Sequence, residues 1–568
     1  MSRLRLAGYA VAAALALVAY FHGLSGEHIP KNGDEYPYTH IARLTAASSH
    51  LLPLRSELPG MRNTKPPLLF WQGIASTGGG RWWTRWNLRW PSVVYTLLTA
   101  GFVFLLGRRL GNDPETGLLA ALSFLAFFST YRYGRPFLTN APEVFWLFIP
   151  FFVLLYWWPA SLASRLAVPA VMGVAAGIGL LYKSMALSVP IGLALGSWYL
   201  YARKGRIGEF LAHDLGKVAS VLSIALALFG MWFLFDPDPG GVWNEFVLRE
   251  NAGKVVLSGS YLPGLLWGNS SVLALALGLP LNAGLLALPI VALAASSWRR
   301  RRELDNVEKL LWLQVITFFV AFSIPSQRSS RYLLPVMPAL AILLALRWKR
   351  IDRRVFGATL VIAGLAVAAM AVLAVRLQQT LPGPPPYGAG HWAVFLLTGA
   401  VVLVALLVPA TRRPGLFAAV FLVFLSFSLL LTPLDGPRGR FDPEVQRFAR
   451  GREVWVPVDF IAKEEGHRFL LPGARVRAYR EERGTPVQDI LHRYPLVVVR
   501  LRRAASVGGG HRTVGERLDL QGRHGAAEIR EMLAGDVLEH LLVREVLVEA
   551  NRSTEITEAP RLDRAVQR

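Results

Sequence analysis

Apolar residues in this chain gather in runs of about 17–25 residues, the length a helix needs to cross a bilayer. Thirteen such runs stand out: 7–23, 90–107, 117–132, 142–158, 166–182, 186–201, 218–235, 271–297, 310–325, 332–346, 355–375, 392–410 and 414–432. The stretch 166–201 reads as a tight pair hinged at Tyr182-Lys183-Ser184, with one long buried helix as the alternative. The polar loops between the runs set an orientation. With Ser2-Arg3-Leu4-Arg5 inside, alternate loops carry Arg108-Arg109, Arg165, Arg203-Lys204-Gly205-Arg206, Arg299 to Arg302, Arg347 to Arg354, and Arg412-Arg413. Basic residues concentrate on the cytoplasmic side of membrane proteins, so this regular placement supports the count and puts the C-terminus outside. The first run begins like a signal peptide. No small-residue cleavage site follows Phe21-His22-Gly23, so it is expected to stay as an anchor.

The remaining loops are the unusual ones. Those at 24–89 and 236–270 are long, and those at 133–141 and 326–331 are short but polar. A stiff connector, Pro382-Gly383-Pro384-Pro385-Pro386, lies within 376–391. After Pro433 the pattern changes to short β-rich runs (Val454 to Val458, Val476 to Tyr479, Leu496 to Val499, Val546 to Val548) with helical stretches such as 525–540. The expected organisation is a transmembrane domain over 1–432 and a small soluble α/β domain over 433–568 on the outer, periplasmic face. The glycine runs Gly78-Gly79-Gly80 and Gly508-Gly509-Gly510 lack the strand–helix setting or the lysine of a phosphate loop and read as turns.

Composition sharpens this picture. Only 17% of the 568 residues are charged and 53% are hydrophobic, against about 25% charged in soluble domains. A soluble enzyme is excluded. Cysteine is absent, which excludes a disulfide scaffold and argues against a zinc finger. The net charge of +23 suggests nucleic acid until it is located. Residues 441–568 hold 22 Lys/Arg against 20 Asp/Glu, and residues 1–440 hold 39 against 18. The excess lies among membrane segments, where it sets orientation, and no nucleic-acid partner is expected.

Candidate chemistry begins at Asp34-Glu35, just after the first run. Two carboxylates next to a membrane are costly unless solvated or used. They also suit the first turn of a helix running to Ser48, so capping is the alternative. The segment Tyr36 to Leu44 reads as a surface-lying amphipathic helix. It leads to Asn63-Thr64-Lys65-Pro66-Pro67-Leu68, where two prolines constrain Lys65, either as a functional cation or as an interfacial anchor beside Trp71. Lys183 lies in an apolar stretch, where an unpaired charge is expensive.

Asp-Glu after span one, Lys-Pro-Pro-Leu about thirty residues on, Lys183 at a hinge, and Arg331-Tyr332-Leu333-Leu334-Pro335 late in the chain recur together in one group. Over about residues 1–440 the sequence resembles the GT-C membrane glycosyltransferases of family 39. Within them it is most similar to the bacterial aminoarabinose transferases of lipid A, and more distantly to protein O-mannosyltransferases. That resemblance implies thirteen spans, an outer C-terminal domain, and inverting transfer of a sugar from a polyprenyl phosphate, undecaprenyl phosphate, at the periplasmic face of the inner membrane. The implied acceptor is lipid A, another envelope glycan or a protein. It assigns Asp34 as the catalytic carboxylate with Glu35 as its partner, and Lys65 as a phosphate-binding cation. Arg249, in Phe246 to Lys254, becomes a second phosphate cation, unless that segment is simply a solvated helix. Lys183, Arg331 and Tyr332 match positions lining the cavity, and Arg135 is expected as an additional cation there.

One departure affects the assignment. Asn140 falls where the family commonly has a second Asp, and an amide cannot act as a base or bring full charge to a metal. Glu143, three residues on, either replaces it or caps the next helix. No other His/Asp/Glu spacing suggests a metal, so neither metal nor cofactor is expected. The competing function class is a transporter or lipid flippase without chemistry. Such proteins usually carry ionisable groups at mid-membrane and internal repeats, whereas the notable charges here gather in loops at one interface.

Overall fold

The structure, a computed structural model, describes residues 3–30, 33–254, 261–268, 270–381, 383–480, 486–501, 507, 511–520 and 541–550. The expected helix at 525–540, the triple glycine at 508–510 and Pro382 lie outside the described residues. The chain divides into two compact units, one of Met1–Ser25 with Ile29–Leu430 and one of Gly26–His28 with Leu431–Arg568.

The first unit is helical. Among the described residues, ten of its helical segments are long and apolar enough to cross a membrane: Arg3–Phe21, Arg85–Gly111, Met185–Ala202, Leu215–Phe235, Val272–Arg299, Asn306–Ser323, Ser330–Arg350, Arg353–Thr380, Ala389–Leu407 and Arg412–Leu430. The other three expected runs fold as shorter apolar helices, Pro114–Ala126, Asn140–Tyr156 and Ala167–Tyr182. By length alone, then, ten of the thirteen expected crossings are supported. The chain is a polytopic helical membrane protein.

Local sequence explains where these helices start, stop and bend. Asp305 and Glu308 form a reciprocal capping box that begins Asn306–Ser323. Asn112, left-handed at φ 48°, ends Arg85–Gly111. Run 117–132 is not one helix. Phe127 is extended at ψ 130° and separates Pro114–Ala126 from Phe128–Tyr133. Run 271–297 bends at Gly284, whose φ is +61° and where a Cβ would lie 2.4 Å from the Phe128 Cβ. Stretch 166–201 is the hinged pair, broken at Lys183-Ser184 between Ala167–Tyr182 and Met185–Ala202. The Ala167–Tyr182 helix packs on Leu215–Phe235 through Gly173 and Gly177, where a Cβ would meet Ile224 and Leu228 at 2.8 and 2.9 Å. Without a hydrophobic drive between helices in lipid, such close backbone approach is a main source of association.

Glu35–Ala47 is helical as expected, but it is not surface-lying. Its Glu35, Tyr38, Thr39, His40, Ile41 and Ala42 side chains are buried. The polar residues that suggested a water-facing side are instead consumed by contacts. The Thr39 hydroxyl donates to the Glu35 carbonyl, and His40 Nε2 accepts from the Glu57 backbone N–H at 3.1 Å.

The second unit is α/β. Its sheet comprises β1 Glu453–Val458, β2 Arg475–Arg480, β3 Leu496–Leu501, β4 His511–Leu520 and β5 Leu542–Ala550, in the order β2-β1-β3-β5-β4. β1 runs parallel to β2 and β3, and β5 antiparallel to β3 and β4. Helices Glu464–Leu470 and Val487–Arg493 make the parallel crossovers. β4 was not among the expected strands.

Candidate functional site

The residues singled out in the sequence divide into three ion-paired groups around one buried tyrosine, plus three side chains that are occupied elsewhere. Asp34 precedes the Glu35–Ala47 helix with a helical backbone, and its side chain makes no capping bond. Its Oδ2 instead accepts from Arg331 Nη1 at 2.7 Å, across 297 positions of sequence. Arg331 Nε is buried and has no hydrogen-bond partner among the described residues. An unmet buried donor is costly, and a ligand oxygen would satisfy it.

Lys65 bonds the Glu250 carboxylate and donates to the Thr64 carbonyl at 2.7 Å. Lys183 donates to Glu143 Oε2 at 2.7 Å, and the same oxygen accepts from Asn140 Nδ2 at 3.2 Å. Glu143 is therefore neither a bare replacement nor a cap: with Asn140 it forms a buried acceptor for Lys183. Lys65, Glu143, Lys183, Glu250, Asn251 and Tyr332 all line one open cavity of about 690 Å³, mouth included. Apolar walls come from Leu187, Phe322 and Pro325, as a site for a lipid-linked ligand requires.

Tyr38 lies within electrostatic reach of both the cavity carboxylates and the Asp34–Arg331 pair. Burial pushes its hydroxyl well above the ordinary phenol range, Asp34 pushes the same way, and Arg331, Glu250 and Glu143 all act on it. The three ion pairs thus share one electrostatic neighbourhood, in which Tyr38 meets Phe70 edge to face at 6.1 Å.

Three expected residues are committed to other contacts. Glu35 is fully engaged away from the cavity: Arg89 grips it with Nε and Nη2 at 2.7 and 2.8 Å, and the Phe137 N–H donates to it at 2.9 Å. Adjacent helical residues point about 100° apart, so Asp34 and Glu35 diverge. Arg135 is wholly buried, donating to the Tyr20 carbonyl at 3.0 Å and to the His22 carbonyl, over the Tyr131 ring at 4.5 Å. It closes the C-terminal end of Arg3–Phe21 and is no cavity cation. Arg249 is exposed and contacts the Gly60 carbonyl at 3.4 Å. Its neighbours Glu250 and Asn251 are the residues of that segment that line the cavity.

The chain resembles known proteins in sequence and in fold. A family profile described as dolichyl-phosphate-mannose-protein mannosyltransferase matches residues 64–232. The undecaprenyl phosphate-alpha-4-amino-4-deoxy-L-arabinose arabinosyl transferase 1 of Sodalis glossinidius is 28% identical over 63% of this chain and 63% of its own length. The corresponding transferase of Edwardsiella ictaluri is 26% identical over 69% and 72%. The crystal structure of ArnT from Cupriavidus metallidurans bound to undecaprenyl phosphate superposes with a TM-score of 0.61 at 18% identity, covering 96% of this chain and 99% of that one. The chain is similar in sequence to these transferases and shares the ArnT fold.

In this ArnT-like chain, several site residues were invisible to motif reading. Glu250 and Tyr38 sat inside quoted segments without a role, and Arg89 gave no signal, because their partners are distant in sequence. Among the described residues, Glu27, His28 and Asp519 bring metal-capable atoms within 4.8 Å of one another, and all three belong to the second unit. Arg517 already stands against Glu27 and Asp519 at 3.3 and 3.4 Å. The negative charge a cation would need is thereby answered.

Proposed function

We propose that this chain is an inverting glycosyltransferase. It moves a sugar from a polyprenyl phosphate, undecaprenyl phosphate as in its named relatives, to an envelope acceptor such as lipid A, a glycan or a protein. The reading places the reaction at the periplasmic face of the inner membrane, with the N-terminus cytoplasmic and the C-terminus periplasmic. The observation that carries it is the convergence of Lys65 and Lys183, each held by a carboxylate, on one apolar-walled cavity beside Asp34–Arg331.

The chemistry is one displacement. An acceptor oxygen forms a bond to the anomeric carbon while the bond from that carbon to the lipid phosphate oxygen breaks. The phosphate leaves with the electron pair. Lys65 is the proposed cation for it, exchanging Glu250 for phosphate oxygens, because charge stabilisation of a leaving group is worth most in a water-poor site. Lys183, oriented by Glu143 and Asn140, is the second proposed cation, in place of Arg249. Asp34, fixed by Arg331, takes the proton from a hydroxyl acceptor. An acceptor that is already an anionic phosphate has no proton to give, and Asp34 then orients it or steadies positive charge on the sugar ring.

Mass spectrometry of envelope lipids and glycans from cells with and without the gene tests the reading. A sugar-modified species is expected to vanish on deletion, and to return with the wild-type gene but not with Asp34→Asn. Unchanged envelopes, together with no transfer by the purified protein given undecaprenyl-phosphate sugar, would remove it.

A further inference from the structure

A second cavity lies one helix length away from the first. The Arg3–Phe21 helix, whose far end leads towards Asp34, contributes Arg5 to this cavity from its start. Likewise Arg331 precedes the Met337–Arg347 helix, and Trp348 and Lys349 of this second cavity follow it. Nineteen helical residues span about 28 Å, close to the hydrocarbon thickness of a bilayer. The two sites therefore belong to opposite membrane boundaries.

Five cations line this second cavity: Arg5, Lys349, Arg353, Arg412 and Arg413. Its empty volume is about 1100 Å³ with its mouth. The cations arrive on three separate segments, so their convergence is tertiary. Glu115 answers Arg413 at 2.8 Å, and Arg412 donates to the Ala405 and Leu406 carbonyls. Lys349 and Arg353 are exposed and make no ion pair with a described residue. Orientation by positive loops asks for basic residues on this side, but not for their gathering on one cavity, where like charges repel. The floor is apolar, Trp348 stacked on Phe356 at 4.3 Å. Leu4 and Leu6, which flank Arg5 in sequence, and Leu407, next to the Leu406 that Arg412 contacts, are exposed at 68%, 53% and 70%, as lipid-facing side chains are.

We propose that this cavity binds the phosphate headgroup of an anionic phospholipid, its acyl chains lying along the exposed leucines. A soluble phosphate would use the cations but gain nothing from the apolar rim. A phosphodiester on two acyl chains uses both. Basic pockets between transmembrane helices recognise such headgroups, and each basic residue near a membrane surface adds to the attraction.

The test uses the full chain in detergent micelles and lipid nanodiscs, with Lys349→Gln/Arg353→Gln as the variant. Retained lipid is read by native mass spectrometry, and thermal unfolding is followed as phosphatidylglycerol, phosphatidylcholine or inorganic phosphate is added. Wild type is expected to retain phosphatidylglycerol roughly tenfold over phosphatidylcholine and to unfold at higher temperature with it, with the variant losing most of that preference. Inorganic phosphate in excess should not displace the lipid. Equal retention by both proteins, no preference in wild type, or displacement by inorganic phosphate would each overturn the proposal. Should the double variant fold poorly, Lys349→Gln alone and the charge-keeping Arg353→Lys serve. The first must weaken retention and the second must preserve it.

Discussion

At the scale of single residues, adjacent carboxylates have opposite fates. Asp34 and Arg331 form a half-buried pair beside a cavity, whereas Glu35 is locked to Arg89 and the Phe137 N–H. Their substitutions should separate accordingly. Asp34→Asn keeps size and hydrogen-bonding capacity but removes charge. It should leave lipid-donor binding nearly intact and lower turnover about a hundredfold if the carboxylate takes the acceptor proton. Lys65→Ala should weaken donor binding and slow transfer together, because a phosphate cation acts in both ground and transition states. Donor binding and transfer measured on both purified variants check this. Wild-type turnover in folded Asp34→Asn would take Asp34 out of the mechanism and turn attention to Glu143. Glu35→Gln is a different experiment. It strips the countercharge from buried Arg89, and breaking such a pair costs about 3–5 kcal/mol. A large drop in unfolding temperature is expected, and a Glu35→Gln protein as stable as wild type would refute the structural role.

At the scale of elements, what the sequence reveals depends on how local the cause is. Apolar run length is local, and every expected run became apolar helix. The breaks within runs were hidden. Phe127 is apolar like its neighbours, and Gly284 bends its run only because Phe128, from another segment, occupies the space a side chain would need. Strand β4, His-Arg-Thr-Val-Gly-Glu-Arg-Leu-Asp-Leu, was missed because its buried positions include Arg517 and Asp519, whose partners Glu545 and His28 lie elsewhere in the chain. In the candidate site, Asp34, Lys65 and Lys183 could be picked out by motif, but Lys65–Glu250 spans 185 positions and Asp34–Arg331 spans 297. Arg135 and Arg249 were misjudged for the same reason: charge can be read from sequence, and the carbonyl that captures it cannot. Close helix contacts are testable at this scale. Gly173→Leu must push Ala167–Tyr182 away from Ile224 and the Val221 carbonyl, 2.8 and 3.0 Å from where a Cβ would sit. Such overpacking typically costs about 1–3 kcal/mol. The variant should unfold at lower temperature in detergent, while Gly230→Leu, with open space around it, should not.

At the scale of the whole molecule, charge distribution makes two predictions. Six basic loops recur on alternate sides of the expected spans, so a periplasm-only reporter fused after Arg568 should be active, and activity only from a cytoplasmic reporter would reverse the topology. The second rests on a short segment after the first helix that belongs to the second unit. Gly26–His28 belongs to that unit, and His28 bonds Asp435 through Nδ1 at 2.9 Å and Asp519 through Nε2 at 3.0 Å. Burial alone would push its imidazole down. The two carboxylates, with Glu27 nearby, outweigh burial and push it up to about 9. Both ring nitrogens then donate, so the folded unit holds a histidinium. An unfolded histidine titrates near about 6.5. The folded value is the higher one, so this contribution is fully present below about pH 6.5 and fades as pH rises through about 9. A shift of that size corresponds to roughly 3 kcal/mol. Asp435 behaves inversely: its own lowered value gives stability that is present at neutral pH and lost only in acid. Across the alkaline window it is His28 that gives up its proton. Thermal unfolding of the full chain should therefore lose stability between about pH 6.5 and 9.5, and more steeply than in His28→Gln, whose uncharged amide has no proton to lose. Parallel pH profiles for the two proteins would mean that the His28 cluster does not hold a proton in the folded state.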